Sequence, residues 1–491
     1  MISLLLRYGV AVHVALLAIY SAWARGGSAP AFFWAIPWLA LGIVEMIFLL
    51  PPQRNGESLR AATRRAGRAI VRDPVFYVGL ALVAFLALQW LNGPRELFYN
   101  AATARWEYTD PPWPGLPFCV VREEASQVLY WALGVVAILL AVRHGMRLES
   151  KRWLLRVLVF NGALLAAFGL LQMATGTDKV FWIRPISVFF FATIGYPNHA
   201  SAYFTLLTAI NIGLLLESLG HEEPREQARG SWLLVALVLN LLGVVFAMGR
   251  AGIVLTGGIL VVALVYGAIY LAGRVTPAGK VRLGVTFAGL ILFGALIVVA
   301  KPDNPLLAEI RSIDLLRLHE QLQGDRAELA GAALRIWDDY PWAGTGGWGF
   351  RRFVALYMGP EKYEYLKAAG RANVHNDTLQ YLCEHGAIGL SLIVGLIFIL
   401  IGQLWFRLVT VPRVLDIGRV HARTWFMSVS PVVWMTVLGT SATVAHSLID
   451  LPFRSMAILS LWFTALAAAP AFVPRKAKPR ASSRGTNETS E

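Results

Sequence analysis

His375 opens the helix that follows Arg371-Ala372-Asn373-Val374, at the close of the one long hydrophilic segment in an otherwise apolar chain. Asn376 can cap that helix, and Asp377 falls in its first turn. The spacing predicts a helix that begins at the histidine and then runs into a bilayer. An imidazole titrates near neutrality. At a membrane–water boundary beside arginines, it suits proton abstraction next to an anionic lipid substrate. From position alone, helix capping explains the residue as well.

Two arginines are candidates for the anion. Arg250 sits in Phe246-Ala247-Met248-Gly249-Arg250-Ala251-Gly252, at an expected tight turn between two apolar runs. Its small neighbours let a bulky headgroup approach the backbone, and a guanidinium fork suits phosphate. The alternative is an interfacial arginine that snorkels to water. Arg326 lies in Gly324-Asp325-Arg326-Ala327, with Asp325 as the expected N-cap of a helix whose start favours anions. The alternative is a solvated charge on an amphipathic helix. Arg311, Arg317, Arg335, Arg351, Arg352 and Arg371 are further arginines that the sequence does not rank. His199, in Tyr196-Pro197-Asn198-His199, and His446, four residues before Asp450, are histidines expected to stabilise the interface. His446 and Asp450 are expected to share one helical face.

Other chemistry is argued against. The chain has no Asp-x-Asp metal motif, no phosphate loop of the G-x-x-x-x-G-K-[ST] type and no His-Glu-x-x-His pair. Cys119 and Cys383 make no disulfide framework and have no metal-ligand spacing. A site of arginines and a histidine, with no metal or cofactor, is the expectation.

The elements that position these residues are membrane helices. Of 491 residues, 57% are hydrophobic and only 15% charged, below the ~25% usual in soluble domains. Continuous apolar runs point to an all-α polytopic helix bundle and away from a β-barrel. Twelve spans are expected, near 8–24, 31–50, 75–92, 125–142, 153–174, 199–217, 231–248, 251–272, 283–300, 385–406, 425–445 and 455–472. Basic residues concentrate in 51–74, 143–152, 273–282, 407–424 and the tail. All of these fall on one side if both termini are cytoplasmic, which satisfies the positive-inside rule. The net charge of +14 is therefore read as cytoplasmic loop charge, not as a nucleic-acid surface. The first run, with Ala22-Trp23-Ala24, also resembles a signal peptide, and is taken as an uncleaved span.

The organisation expected is spans 1–9 over residues 1–300, a folded external loop over 301–384, spans 10–12 over 385–472 and a disordered basic tail over 473–491. The external loop has amphipathic stretches (Leu315–Leu322, Ala327–Trp337) and a Gly344-Thr345-Gly346-Gly347 turn. Its acidic and basic residues are close to balance, so an anion site there must come from placement.

Taken in order, several motifs resemble the O-antigen ligase / O-antigen polymerase superfamily of bacterial membrane glycosyltransferases. They are Tyr196-Pro197-Asn198-His199, Gly249-Arg250-Ala251-Gly252, Pro341-Trp342-Ala343-Gly344-Thr345-Gly346-Gly347-Trp348-Gly349-Phe350, and His375-Asn376 followed by Leu379, Glu384, Gly386 and Gly389. His446-Ser447-Leu448-Ile449-Asp450-Leu451-Pro452-Phe453-Arg454 closes the set. The resemblance covers roughly residues 195–455. It departs at Gly249, where the family often has serine.

The resemblance implies a GT-C-like fold in the bacterial inner membrane with a periplasmic site. It implies a glycan donor on undecaprenyl diphosphate and an acceptor hydroxyl on lipid A–core or on another glycan. Arg250 and Arg326 then hold the diphosphate and His375 activates the acceptor, with Asn376, Glu384, His199 and His446 as supporting candidates. Transfer to lipid A–core is the leading expectation, with polymerisation of the lipid-linked glycan as the alternative. A transporter is disfavoured by the long external loop and the lack of repeats.

Overall fold

The computed structural model describes residues 2–27, 30–54, 56–185, 190–221, 224–272, 324–359, 372–414 and 422–474. The expected span 283–300, the stretch Leu315–Leu322, Arg311, Arg317, Arg371 and the tail from 475 lie outside them. Eleven of the twelve expected spans coincide with helices. These are α1 (Ile2–Trp23), α3 (Ala35–Leu49, after the single turn α2, Pro30–Phe33), α5 (Pro74–Leu91), α6 (Arg122–His144) and α7 (Leu148–Ala174). They continue with α8 (Pro197–Leu219), α9 (Pro224–Phe246) and α10 (Arg250–Leu271). After the long hydrophilic segment come α13 (Asp377–Val414), α15 (Pro431–Ser447) and α16 (Met456–Ala468). Among the described residues, six helices are long and apolar enough to cross a bilayer, and further shorter apolar helices accompany them.

The apolar residues divide the bundle into an inside and an outside. Helix α8 is buried along nearly its whole length, packed between α9, α10 and α15. By contrast, α13 turns Phe398 (68% exposed) and Trp405 (62%) outward, and α10 turns out Val254, Val261 and Val265. Such a surface is costly in water and ordinary against lipid. The chain is a multi-pass membrane protein built as a helix bundle.

Between the spans, α4 (Leu59–Val71) is amphipathic. It buries Ala62, Ala66 and Ile70 at helical spacing and carries arginines on its other faces. Asp73 caps α5 by accepting from Val75 N at 3.1 Å, and it also takes Arg143 and His144 from the end of α6. Two short antiparallel hairpins, β1–β2 (Leu97–Asn100 with Arg105–Tyr108) and β3–β4 (Lys179–Val180 with Arg184–Pro185), sit in the connections.

The described part of the 301–384 segment builds a small core together with Phe118. Helix α11 (Asp325–Asp339) and helix α12 (Phe350–Tyr357) pack Leu329, Ala333, Ile336 and Phe353 against Phe118, Val374 and Cys383. Ala327–Trp337 is thus helical as expected. The cap is shifted by one residue: Gly324 takes the N-cap position and Asp325 starts the helix. Helix α14 (Ala422–Ser428) leads into α15, whose cap is Ser430.

Candidate active site

Helix α13 is not continuous where it leaves the loop. Gly386 stands at φ +61°, ψ −171°, a conformation essentially restricted to glycine. The break interrupts the helical hydrogen-bond ladder, and the Pro341–Gly346 turn fills it. Ala387 N donates to Pro341 O at 2.8 Å and Ile388 N to Trp342 O at 3.0 Å. In return Thr345 N donates to Cys383 O at 3.1 Å and Gly346 N to Glu384 O at 2.7 Å. Gln89 of α5 donates to Ala343 O and Glu384 O and meets His385 Nδ1 at 2.9 Å. A broken helix at membrane depth is tolerated when its freed groups are re-satisfied in this way. A Cβ on Gly386 would lie 2.3 Å from the Trp342 carbonyl, and one on Gly344 2.4 Å from the Glu384 backbone. The glycines of two separated motifs therefore serve one joint.

The N-terminal segment of α13 is held by a second, buried arrangement. Arg454 is 2% exposed, its guanidinium 4.3 Å from the Tyr381 ring centre and 4.9 Å from that of Trp348. Its Nη1 lies 2.7 Å from Glu384 Oε2 and its Nε 3.9 Å from Asp377 Oδ1. Glu384 also accepts from Trp348 N and Gln380 Nε2, both at 3.0 Å. Asp377 accepts from Phe453 N at 2.9 Å. Glu384 is thus part of the frame and fully enclosed.

His375 stands just outside this frame, at φ +54°, an uncommon conformation for a non-glycine residue. Its Nδ1 is 3.5 Å from Asp450 Oδ1, close enough for strong electrostatic coupling. Asp450 is the hub of the site. It accepts from the Tyr196 hydroxyl at 3.0 and 3.1 Å, from Asn198 Nδ2, and from Leu451 N at 2.8 Å. Burial alone would raise this carboxyl. The His375 imidazole, with His199 and His446 nearby, overrides that and holds it well below the usual carboxylate range. Burial and the adjacent carboxylate push the Tyr196 phenol well above its ordinary value, so it remains a donor.

The other candidates gather around the same turn. Arg326 donates from Nη1 to Ile449 O at 3.0 Å, next to Asp450. Asn376 donates from Nδ2 to Leu448 O at 3.0 Å, and its Oδ1 accepts from Leu379 N, which makes it the cap of α13. His199 packs edge-on against Tyr196 at 4.9 Å. Arg250 begins α10, and the preceding Gly249 lies against the start of α8. There a Cβ would come within 2.4 Å of Ser201 and 3.1 Å of Asn198 Oδ1. Ser201 Oγ donates to Gly249 O at 3.2 Å. Asn198, bonded to Asp450, thus links the Arg250 turn to His375.

One expected pairing is corrected. The backbone does join His446 and Asp450, Asp450 N donating to His446 O at 3.0 Å, but neither ring nitrogen of His446 makes a hydrogen bond to the carboxylate. The carboxylate faces Tyr196, Asn198 and His375 instead. Sequence reasoning quoted Tyr196, Asn198 and Arg454 only within motifs and paired Asp450 only with His446, so it gave none of the four its place beside His375 or in the frame. The signal available was a buried-type acid and arginine in so short an apolar-flanked turn. Cys119 and Cys383 are both free and buried. Among the described residues, no three His, Cys, Asp or Glu side chains converge as a metal-ligand set.

Beneath the site, a cavity of about 550 Å³ runs into the bundle. Asp377, Tyr381 and Ser447 lie at one end, and Ile397, Val437 and Phe463 line its apolar depth.

No curated protein matches the chain. Residues 235–394, a stretch that contains Arg250, Arg326 and His375, match the protein family described as O-Antigen ligase. This stretch, about a third of the chain, is thus similar to the O-antigen ligase family.

Proposed function

We propose that this protein transfers a glycan from undecaprenyl diphosphate to an acceptor hydroxyl at the periplasmic face, with lipid A–core as the acceptor. The observation that carries the reading is the placement of His375 against Asp450, in a turn whose backbone Arg326 also holds. With Nδ1 facing the carboxylate, the imidazole carries its proton there and presents Nε2 as a base. Nε2 takes the acceptor proton as the acceptor oxygen attacks the anomeric carbon. The bond from that carbon to the diphosphate oxygen breaks, and the electron pair leaves with the diphosphate. Attack opposite the leaving group inverts the anomeric centre. Asp450 stabilises the imidazolium formed.

The leaving group needs charge stabilisation, which the guanidinium groups of Arg250 and Arg326 supply. Gly249 and Gly252 keep the Arg250 turn tight against α8, since a Cβ at either would strike Ser201. The apolar cavity below suits the prenyl chain of the donor. Both termini are then cytoplasmic, which agrees with the charge of the loops.

The test is a transfer assay with purified protein and an undecaprenyl-diphosphate oligosaccharide, with and without lipid A–core. Product that requires lipid A–core supports the proposed acceptor. Longer lipid-linked glycan formed without it makes the protein a polymerase using the same residues. No product in either arm would sink the transferase reading.

A further inference from the structure

The end of the bundle opposite His375 holds a second polar cavity, of about 790 Å³. The site is built from the starts of α8, α10 and α13. This cavity is built from the segment after α3, one face of α4, the α6–α7 turn, the far ends of α8 and α10, the segment leading into α15 and residues 471–474. Helix α8 alone has 23 residues, which separates the two by about 34 Å at 1.5 Å per residue.

Six cationic side chains line it: Arg54, Arg65, Arg143, Arg147, Lys151 and Arg152. The carboxylates that meet them are Glu57 on Arg65, Asp73 on Arg143 and Glu217 on Arg152. Arg54 and Arg147, both exposed, add two further guanidinium groups to this lining. Lys151 is 7% exposed, so its charge is drawn in from solvent. Between the cations the walls are apolar: Ala66, Ala69, Val429 and Phe472, with Arg152 lying 5.5 Å over the Phe472 ring. The hydroxyls of Ser428 and Ser430 complete the lining.

A solvated basic face needs no cavity, and a purely soluble anion needs no apolar wall at the level where membrane helices end. We propose that this cavity binds the phosphate of an anionic glycerophospholipid from the surrounding leaflet. The phosphate meets the guanidinium groups, and the glycerol and first acyl carbons lie along Ala66, Ala69 and Phe472. Arg152, Glu217 and Ser430 tie α7, α8 and α15 together at this point, since Arg152 donates to Glu217 at 2.9 Å and Ser430 donates to it at 2.9 Å. A lipid seated there braces the far end of the helix that carries Tyr196 and Asn198 at its start. The inference rests on the membrane placement of the bundle and is independent of the transfer chemistry.

The test uses the full chain, stripped of lipid in neutral detergent, and follows its melting temperature as lipid is added. Phosphatidylglycerol is expected to raise it saturably, with phosphatidylcholine and inorganic phosphate giving little. Replacing the two exposed arginines, Arg54→Gln and Arg147→Gln, should weaken the effect about tenfold. The same charge loss outside the cavity, Arg60→Gln with Arg64→Gln on α4, should leave it unchanged. The proposal is overturned if phosphatidylcholine acts equally, or if both double variants lose the effect alike, since diffuse surface charge then suffices. Saturation by inorganic phosphate alone would assign the cavity to a soluble anion. Should the first pair fail to fold, the wild-type effect must still weaken with added salt; salt-independent binding rejects the phosphate contact.

Discussion

Asp450 faces His375 across 3.5 Å, and each is fixed by groups other than the other. Asp450 is held by Tyr196, Asn198 and Leu451 N; His375 precedes a helix capped by Asn376 and fastened to Leu448 O. Fixed this way, the pair keeps its alignment before substrate arrives. His375→Ala should reduce transfer by roughly 10²–10⁴-fold, the range of a lost general base. Wild-type transfer in that variant would remove His375 from the mechanism. Asp450→Asn, which keeps the shape and discards the charge, should cost roughly a hundredfold or more in turnover with little change in donor binding.

The same carboxylate gives a pH dependence of stability. Its folded value lies below its unfolded one, so its contribution is fully present above about pH 4 and is lost as pH falls through the folded value. Asp450→Asn lacks this charge, so the gap in stability between it and the wild-type protein should hold on mild acidification from pH 7. The gap between the two should narrow only in strong acid. Melting temperatures in detergent from pH 7 downward check this. A gap that closes already between pH 7 and pH 6 would contradict the assignment.

Arg250 and Arg326 should separate in their effects. Arg250→Lys replaces a planar fork by a point charge, and so should weaken donor binding and transfer even though charge is kept. Arg326→Lys also loses a hydrogen bond to Ile449 O, beside Asp450, so it should lower turnover as well as donor affinity. Wild-type donor affinity in Arg250→Lys counts against a diphosphate site there. EDTA should leave transfer intact; loss restored by Mg²⁺ would overturn the arginine-only account of the leaving group.

The helices were legible because bilayer thickness sets the length of an apolar run, and eleven of the twelve expected spans coincide with helices. Asn376 as a cap and the helix from Ala327 to Trp337 were equally local matters. The partner of His375 was not legible. Asp450 lies 75 residues away, and helical spacing put it near His446 along the backbone while its carboxylate turns to Tyr196, Asn198 and His375. Gly344 and Gly386 were visible as residues of a motif. That they close one joint, one from each side, depends on a tertiary contact that no local pattern encodes.

That joint should be intolerant. Gly386→Ala places a Cβ 2.3 Å from the Trp342 carbonyl in a conformation that costs a non-glycine residue about 1–3 kcal/mol before any clash. The variant is expected to express poorly and melt well below wild type, by size-exclusion profile and thermal melting in detergent. Gly395→Ala, further along the same helix where a Cβ meets nothing, should be neutral or slightly stabilising. Equal behaviour of the two would refute the joint.

Arg454 and Glu384 should show the coupling of a buried ion pair. Both are enclosed, so removing one leaves the other charged and uncompensated. Arg454→Met alone is expected to cost about 3–5 kcal/mol. Glu384→Gln alone leaves the guanidinium with Asp377 at 3.9 Å as its remaining acid, and should cost less. The double variant removes both charges. Its glutamine still accepts from Trp348 N, so it should recover part of the loss from Arg454→Met alone. A melting series of the four proteins measures the coupling directly. If the double variant falls by the sum of the two singles, the pair contributes nothing through its charges. Arg454 would then matter only as a filler between the rings of Trp348 and Tyr381.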